Sequence, residues 1–215
     1  MMTRRVALAA CALAVLTASS AEAKRPRCHL AGPNLAHSRT IKVVTRTNAD
    51  TETIKLLGCV KPAGRVRTLA EGVEAFTTDT ALSLAGAAGT WVVIRSSTSN
   101  QYGGSTSLRA ADVRTGRSYG VASESYMIGG PYQGQAVSAI AVNARGYTAA
   151  MRDDLTPAGG TSVTVSKRGV VLFDPRGTPR ELDSGPPGEF DTNSLILDTH
   201  TVLWSRSGLT RYARF

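Results

Sequence analysis

After residue 24 the sequence is cut into short runs of Val, Ile, Thr, Leu and aromatic residues by clusters of Gly, Pro, Ser and Asn. No stretch shows the three-to-four-residue apolar spacing of an amphipathic helix, so the runs read as strands joined by turns. The candidates are Ile41–Arg46, Thr53–Val60, Val66–Leu69, Ala81–Leu84, Thr90–Arg95, Ser107–Val113 and Ser118–Val121. They continue with Val137–Val142, Gly146–Met151, Ser162–Ser166, Gly169–Phe173, Pro179–Leu182, Ser194–Leu197, Thr201–Ser205 and Leu209–Arg214. Parallel strands need crossover segments, commonly helices, and none lies between these runs. The prediction is an antiparallel all-β domain over residues 24–215.

Within that series the spacing recurs. Leu82 and Trp91 bracket a strand, a short turn and a second strand, and Leu195 and Trp204 do the same at equal separation. Ile140 and Ala149 repeat the spacing with a small residue in the Trp place. The segment Ala111-Asp112-Val113-Arg114-Thr115-Gly116-Arg117 then matches Phe173-Asp174-Pro175-Arg176-Gly177-Thr178-Pro179 as strand, Asp, turn and Gly. Asp bonds the turn backbone while Gly takes a positive φ, which closes a tight hairpin. A third copy near Leu57–Arg65 has Cys59 in the Asp place. Units therefore begin near residues 35, 80, 136 and 192. Their order of hairpin, Asp–turn–Gly hairpin and loop resembles the blades of TolB- or WD40-type β-propellers, which implies a small propeller-like domain of about four blades. The Gly-His…Trp-Asp signature is absent, and a β-barrel or sandwich of the same hairpins is the alternative.

At the N-terminus, Arg4 and Arg5 precede an unbroken apolar run from Val6 to Leu16, and Ala21-Glu22-Ala23 has the small-x-small form of a cleavage site. This is the layout of a secretory signal peptide, so residues 1–23 are expected to be removed and the product to be secreted or extracytoplasmic. An apolar run this short falls well below the ~20 residues of a membrane span. Leu8-Ala9-Ala10-Cys11 imitates a lipoprotein cleavage box, but most of the apolar run would follow that cut. Removal of Cys11 leaves Cys28 and Cys59. In an oxidising compartment these pair as one disulfide, with a stabilisation of about 3–4 kcal/mol for a loop of this length. A catalytic Cys28 beside His29 is the weaker reading, because adjacent side chains do not converge.

Charge is uneven. The whole chain is formally +9. Lys24, Arg25, Arg27, Arg39, Lys42, Arg46, Lys55, Lys61, Arg65 and Arg67 face only Asp50 and Glu52, whereas bases and acids balance from residue 68 onward. The basic end suggests adhesion to an anionic envelope polymer. Nucleic acid is not an expected partner, since no recognition fold is visible.

Few residues point to chemistry. Metal-ligand, phosphate-loop and dinucleotide motifs are missing, so no cofactor or metal is expected, and Asp153-Asp154 reads as a solvated loop tip. Gly116-Arg117-Ser118-Tyr119-Gly120 has the GxSxG form, and a serine hydrolase using Ser118, an acid among Asp174, Asp191 and Asp198, and His200 is the enzymatic alternative. That chemistry needs a strand-to-helix turn, and the motif here lies in a hairpin. The terminal Phe215 has a counterpart in outer-membrane barrels, but Arg211 and Arg214 break a lipid-facing alternation. The remaining signal is a set of long loops, Ser96–Thr106, Glu124–Gln135, Asp153–Thr161 and Ser184–Asn193, carrying Tyr102, Tyr126, Tyr132 and Phe190. Loop aromatics on a rigid β scaffold commonly bind ligands. The expected function is a secreted, non-enzymatic binding or interaction protein whose loops contact a protein, peptide or glycan.

Overall fold

The computed structural model describes residues 28–62, 64–74, 77–127, 132–159 and 162–215. The expected signal peptide and the bases Lys24, Arg25 and Arg27 lie outside them. Fifteen strands and one 3-10 turn, Pro187–Glu189, make up the described chain. The first sheet runs β1 (Asn34–His37), β2 (Ile41–Asn48), β3 (Thr53–Val60) and β4 (Arg67–Val73). An eight-stranded meander follows, from β5 (Thr78–Ala88), β6 (Trp91–Asn100), β7 (Gly103–Asp112) and β8 (Ser118–Met127) to β9 (Gln133–Val142), β10 (Thr148–Gly159), β11 (Ser162–Phe173) and β12 (Pro179–Gly185). The last sheet is β13 (Phe190–Leu197), β14 (Thr201–Arg206) and β15 (Leu209–Arg214). Every pairing is antiparallel, with sequence-adjacent strands as neighbours.

The meander forks in its middle. Strands β8 and β9 are paired only at Glu124–Gly134 and Ser125–Gln133, after which they diverge. The halves β5–β8 and β9–β12 therefore act as a second and a third layer, and alternation along the strands explains how they pack. Val92 and Ile94 of β6 point to the first sheet and join Ile41, Val43 and Leu56. Trp91 and Val93 point the other way, onto Ala150, Val171 and Phe173. The third layer divides likewise, for Ala149, Met151, Val170 and Leu172 meet Phe190, Val202 and Trp204 of the last sheet. Strands buried on both faces read as continuous apolar runs, which is why Val92-Val93-Ile94 and Val170-Val171-Leu172-Phe173 lack alternation.

The architecture is thus all-β and antiparallel, built from open sheets packed face to face. No sheet closes on itself, so the alternative of a β-barrel does not form. Layered sheets of this kind fit a sandwich as well as propeller blades. The expected long loops are a second correction. Ser96–Thr106 is mostly the outer half of the β6–β7 hairpin, with Asn100 opposite Gly103, and the β8–β9 and β10–β11 hairpins extend in the same way. These arms lie beyond the core, so no apolar alternation marks them. Hydroxyl pairs such as Ser97–Thr106 at 3.2 Å link their strands instead. Pro157 is accommodated in β10 where the register shifts beside it.

Turns follow the expected chemistry. Asp112 Oδ1 accepts the Arg114 N–H at 3.0 Å, and Asp174 Oδ1 accepts those of Arg176 and Thr178 at 2.8 and 2.9 Å. Gly116 and Gly177 take φ of 79° and 88°. Asn143 plays the Asp part in the β9–β10 turn, bonding the Arg145 and Tyr147 N–H groups. There Gly146 has φ 87°, and a Cβ on it would overlap the Trp91 indole.

Cys28 and Cys59 are joined, with Cα atoms 5.9 Å apart. The bridge holds Leu30 against Val44 and Cys59, covering the face of the first sheet that points away from the stack. Replacing both cysteines with serine is expected to lower stability by about 3–4 kcal/mol, through the freed loop of the unfolded chain. Urea denaturation of the variant and of oxidised wild type measures this, and reduced wild type should match the variant.

Candidate functional site

Among the described residues no three His, Cys, Asp or Glu side chains are grouped to hold a metal ion. No described helix is long and apolar enough to cross a membrane. The predicted serine, acid and histidine are not assembled either. Ser118 opens β8 opposite Ala111, and the chain continues as strand to Met127, so the strand-to-helix turn is missing. His200 lies in the β13–β14 turn, where Arg145 Nη1 is 2.8 Å from its Nδ1. No hydrogen bond joins His200 to Ser118. The three candidate acids serve turns: Asp174 as above, Asp191 accepting the Asn193 N–H, and Asp198 that of Thr199. Backbone donors hold the Asp174 carboxyl below its ordinary range, the Thr178 N–H foremost.

Three of the four predicted aromatics come near one another. Tyr102 caps the β6–β7 arm, its tip fixed by Asn100 Oδ1, which accepts the N–H groups of Tyr102 and Gly103. Tyr126 near the end of β8 stacks on Tyr132, with centroids 5.6 Å apart and planes 14° from parallel. Burial first, then the Glu124 carboxylate, raises the Tyr132 hydroxyl above its ordinary range. Tyr102 and Tyr126 flank a shallow cleft of about 310 Å³ with Thr98, Asn100 and Met127. Gly104 leaves room for the Tyr126 ring, since a Cβ there would come within 3.0 Å of it. Phe190 does not belong to this set. It is buried in β13 within the core between the third and last layers, beneath the Arg206 guanidinium. Its apolar ring near Pro186 and Pro187 reads as a loop aromatic because the sequence does not reveal how closely the last sheet packs.

A larger cavity, of about 890 Å³, follows β8 inward from that end, past Gly120, Val121, Ala122 and Ser123. Arg152 of β10 and Phe173 of β11 line its third-layer side. Two register shifts shape it. One places Val121 as an extra residue of β8 opposite Leu108 and Arg109, and the other falls between Met151 and Arg152 on β10. Arg152 shares a strand face with Ala150, the core side, and its guanidinium carbon lies 5.9 Å from the Phe173 ring centroid. Its Nε is buried without a hydrogen-bond partner, and burial lowers its pKa while Asp154 and Glu181 oppose that shift. The neighbouring charges are differently engaged. Lys167 pairs with Glu181 at 3.4 Å, Gln135 donates to Asp154 at 2.8 Å, and Arg109 donates to the Leu69 carbonyl.

Asp153 corrects another expectation. It is a buried strand residue with two contacts to Arg168, at 2.6 and 2.9 Å, and not a solvated loop tip. Sequence reasoning also passed over Arg152. The signal was there, since an arginine two residues after Ala150 falls on the face that an apolar strand buries.

The basic N-terminal end is partly consumed by the fold. Lys42 Nζ donates to Leu30 O at 2.6 Å, Lys61 Nζ to Ser38 O at 2.7 Å, and Arg67 to Arg114 O at 3.0 Å. Lys55 pairs with Glu71. The chain matches no protein-family model, no curated protein and no solved structure.

Beside the cavity, the Tyr119 hydroxyl is within 2.8 Å of both Gly146 O and Thr148 Oγ1. Burial is the main cause that raises its pKa to about 12. An unfolded tyrosine ionises near 10. Its contribution to stability is therefore complete below pH 10 and is lost as pH rises through the folded value. Tyr119→Phe should lower stability at neutral pH by about 1–2 kcal/mol through the lost bonds. Urea titrations across the alkaline range should show the gap between the two proteins closing only above pH 10.

Proposed function

We propose that this is an exported, non-enzymatic binding protein whose ligand is held at the tyrosine-bearing hairpin ends of the second layer. The observation that carries the reading is the convergence of Tyr102, Tyr126 and Tyr132 on strand arms that extend beyond the core. Such arms add nothing to the apolar clusters, yet they present large ring faces to solvent. Rigid aromatic faces give contact area at low conformational cost, which suits recognition of a peptide or a sugar ring. Export is supported by the signal-like N-terminus together with the Cys28–Cys59 bridge.

The propeller reading of the layers belongs to the same proposal. The first strand of each layer approaches the first strand of the next, β1 to β5, β5 to β9 and β9 to β13. Propeller blades are ordered in this way about their axis, with hairpin ends gathered on the rims. The tyrosine arms would then form part of one rim.

Capture on arrays of linear peptides and of glycans tests the function. Wild type should be retained by members of one array, and the pair Tyr102→Ala and Tyr126→Ala should weaken retention at least about tenfold, the loss of one or two stacked contacts. Both residues are exposed, so the melting temperature should be unchanged. Equal capture of the double variant, or no capture of wild type by either array, would overturn the reading.

A further inference from the structure

The cavity along β8 is bordered by backbone with no strand partner. From Ser118 to Ser123, β8 is paired with β7 alone, because its pairing to β9 is confined to Glu124 and Ser125. On the other side of the fork, β9 from Ala136 onward is paired with β10 alone. Gly120, Val121, Ala122 and Ser123 thus line the cavity while one edge of their strand stays open. Open strand edges are templates for a further strand, and proteins usually blunt them with charge, proline or a covering element. Here the lining residues are small and uncharged. A Cβ added at Gly120 would meet nothing within 4 Å, so the strand face beside this edge is also open.

Of the charged residues lining the cavity, Glu71 is paired with Lys55 and Arg109 donates to the Leu69 carbonyl, which leaves Arg152 across the gap to give this edge a chemical preference. Arg152 faces it from β10 and donates no hydrogen bond to any described residue, with Nε buried. Every other buried or half-buried arginine near the layer junctions has an acceptor: Arg168 has Asp153, Arg206 has Asp183 and Glu189, and Arg109 has Leu69 O. A buried guanidinium nitrogen without an acceptor is costly, and a carboxylate is the group that best satisfies its fork geometry. Phe173 and Val121 provide apolar wall on either side.

We infer that the fork between β8 and β9 receives an extended acidic peptide segment, which adds as a strand to the open edge of β8 and sets a glutamate or aspartate carboxylate on Arg152. A peptide uses all three features together. Its backbone pairs with the edge, one side chain in two points at Arg152, and apolar neighbours pack on Phe173. A glycan carboxylate would use only the arginine. The inference rests on the reading of the protein as a binding module but not on the tyrosine cleft, and it names the partner that module takes.

The test uses a fluorescent, capped peptide of alternating valine and glutamate, its lysine counterpart, its N-methylated form, and an oligogalacturonate. The glutamate peptide should bind at least about tenfold more tightly than the lysine peptide, with N-methylation of one edge abolishing binding. Hydrogen exchange should slow at the amides of residues 120–123. Arg152→Gln should erase the preference for glutamate, and Gly120→Leu should block binding. The open space at Gly120 predicts an unchanged melting temperature for the second variant. Equal binding of the acidic and basic peptides, binding of oligogalacturonate alone, or unaltered exchange at residues 120–123 would overturn the inference. Binding lost in the tyrosine double variant but kept in Gly120→Leu would sink this inference while leaving the tyrosine reading standing.

Discussion

Everything in this fold depends on sheets that are buried on both faces at once. In β6 the alternation sends Val92 and Ile94 into one core and Trp91 and Val93 into another, so a single strand stabilises two interfaces. The same holds for β10 and β11 between the second and last layers. A layer that no further layer covers keeps one outward face. At the N-terminal end the covering is covalent, since the Cys28–Cys59 bridge draws Leu30 over Val44. Lys42 and Lys61 reinforce it by donating to backbone carbonyls of the same region. Part of the positive charge concentrated there therefore serves attachment within the molecule. Its value for an anionic partner is reduced accordingly, because those ammonium groups are already engaged.

The fork between β8 and β9 follows from the same arrangement. Two layers joined by one continuous meander must separate somewhere if each is to present a face to the other. The separation happens where Glu124 and Ser125 are the last residues paired. Beyond that point each of the two strands keeps a partner on one edge only, and the sequence places small residues there. Val121 bulges and Gly120 leaves open space, so the gap is not filled by the protein's own side chains. An arginine facing such a gap is unusual on packing grounds, since its buried Nε has no hydrogen-bond acceptor and Asp154 and Glu181 act on it only through their charge. Its persistence beside Phe173 is intelligible if the acceptor comes from outside.

What could be read from the sequence follows these energetics closely. The apolar runs and the Asp–turn–Gly hairpins were legible because both are local, arising from one strand's burial or one residue's side-chain bond to its own turn. Cys28 and Cys59 were legible from their count once export was expected. The outer hairpin arms were not, because strands with two solvated faces carry Ser, Thr, Gly and Asn in no telling order. Phe190 was misread for the opposite reason. A lone ring after Pro186-Pro187-Gly188 looks like a loop residue until the β13–β14 ladder and Arg206 are in place around it. Asp153 is similar, for its burial depends on Arg168, which lies across a hairpin. Ser118 and His200 share a familiar sequence order, yet order alone says nothing about which layers they occupy. They belong to the second and last layers, and Arg145 takes the imidazole.

The strand β8 links the two surfaces for which recognition is proposed. Its ten residues span about 33 Å, with Tyr126 near one end and Gly120 towards the other. Between them the strand is anchored on β7 throughout and on β9 at only two positions. A ligand that met only the tyrosines would engage an arm outside the core, where contacts cost the scaffold nothing. One that entered the fork would also stitch the second layer to the third, beside the Tyr119 hydroxyl that already bridges them to Gly146 and Thr148. Occupation of the fork would therefore be coupled to the stiffness of the stack, whereas occupation of the tyrosine cleft would not. That difference makes the polar edge at β8 a more consequential site than the aromatic surface that first draws attention.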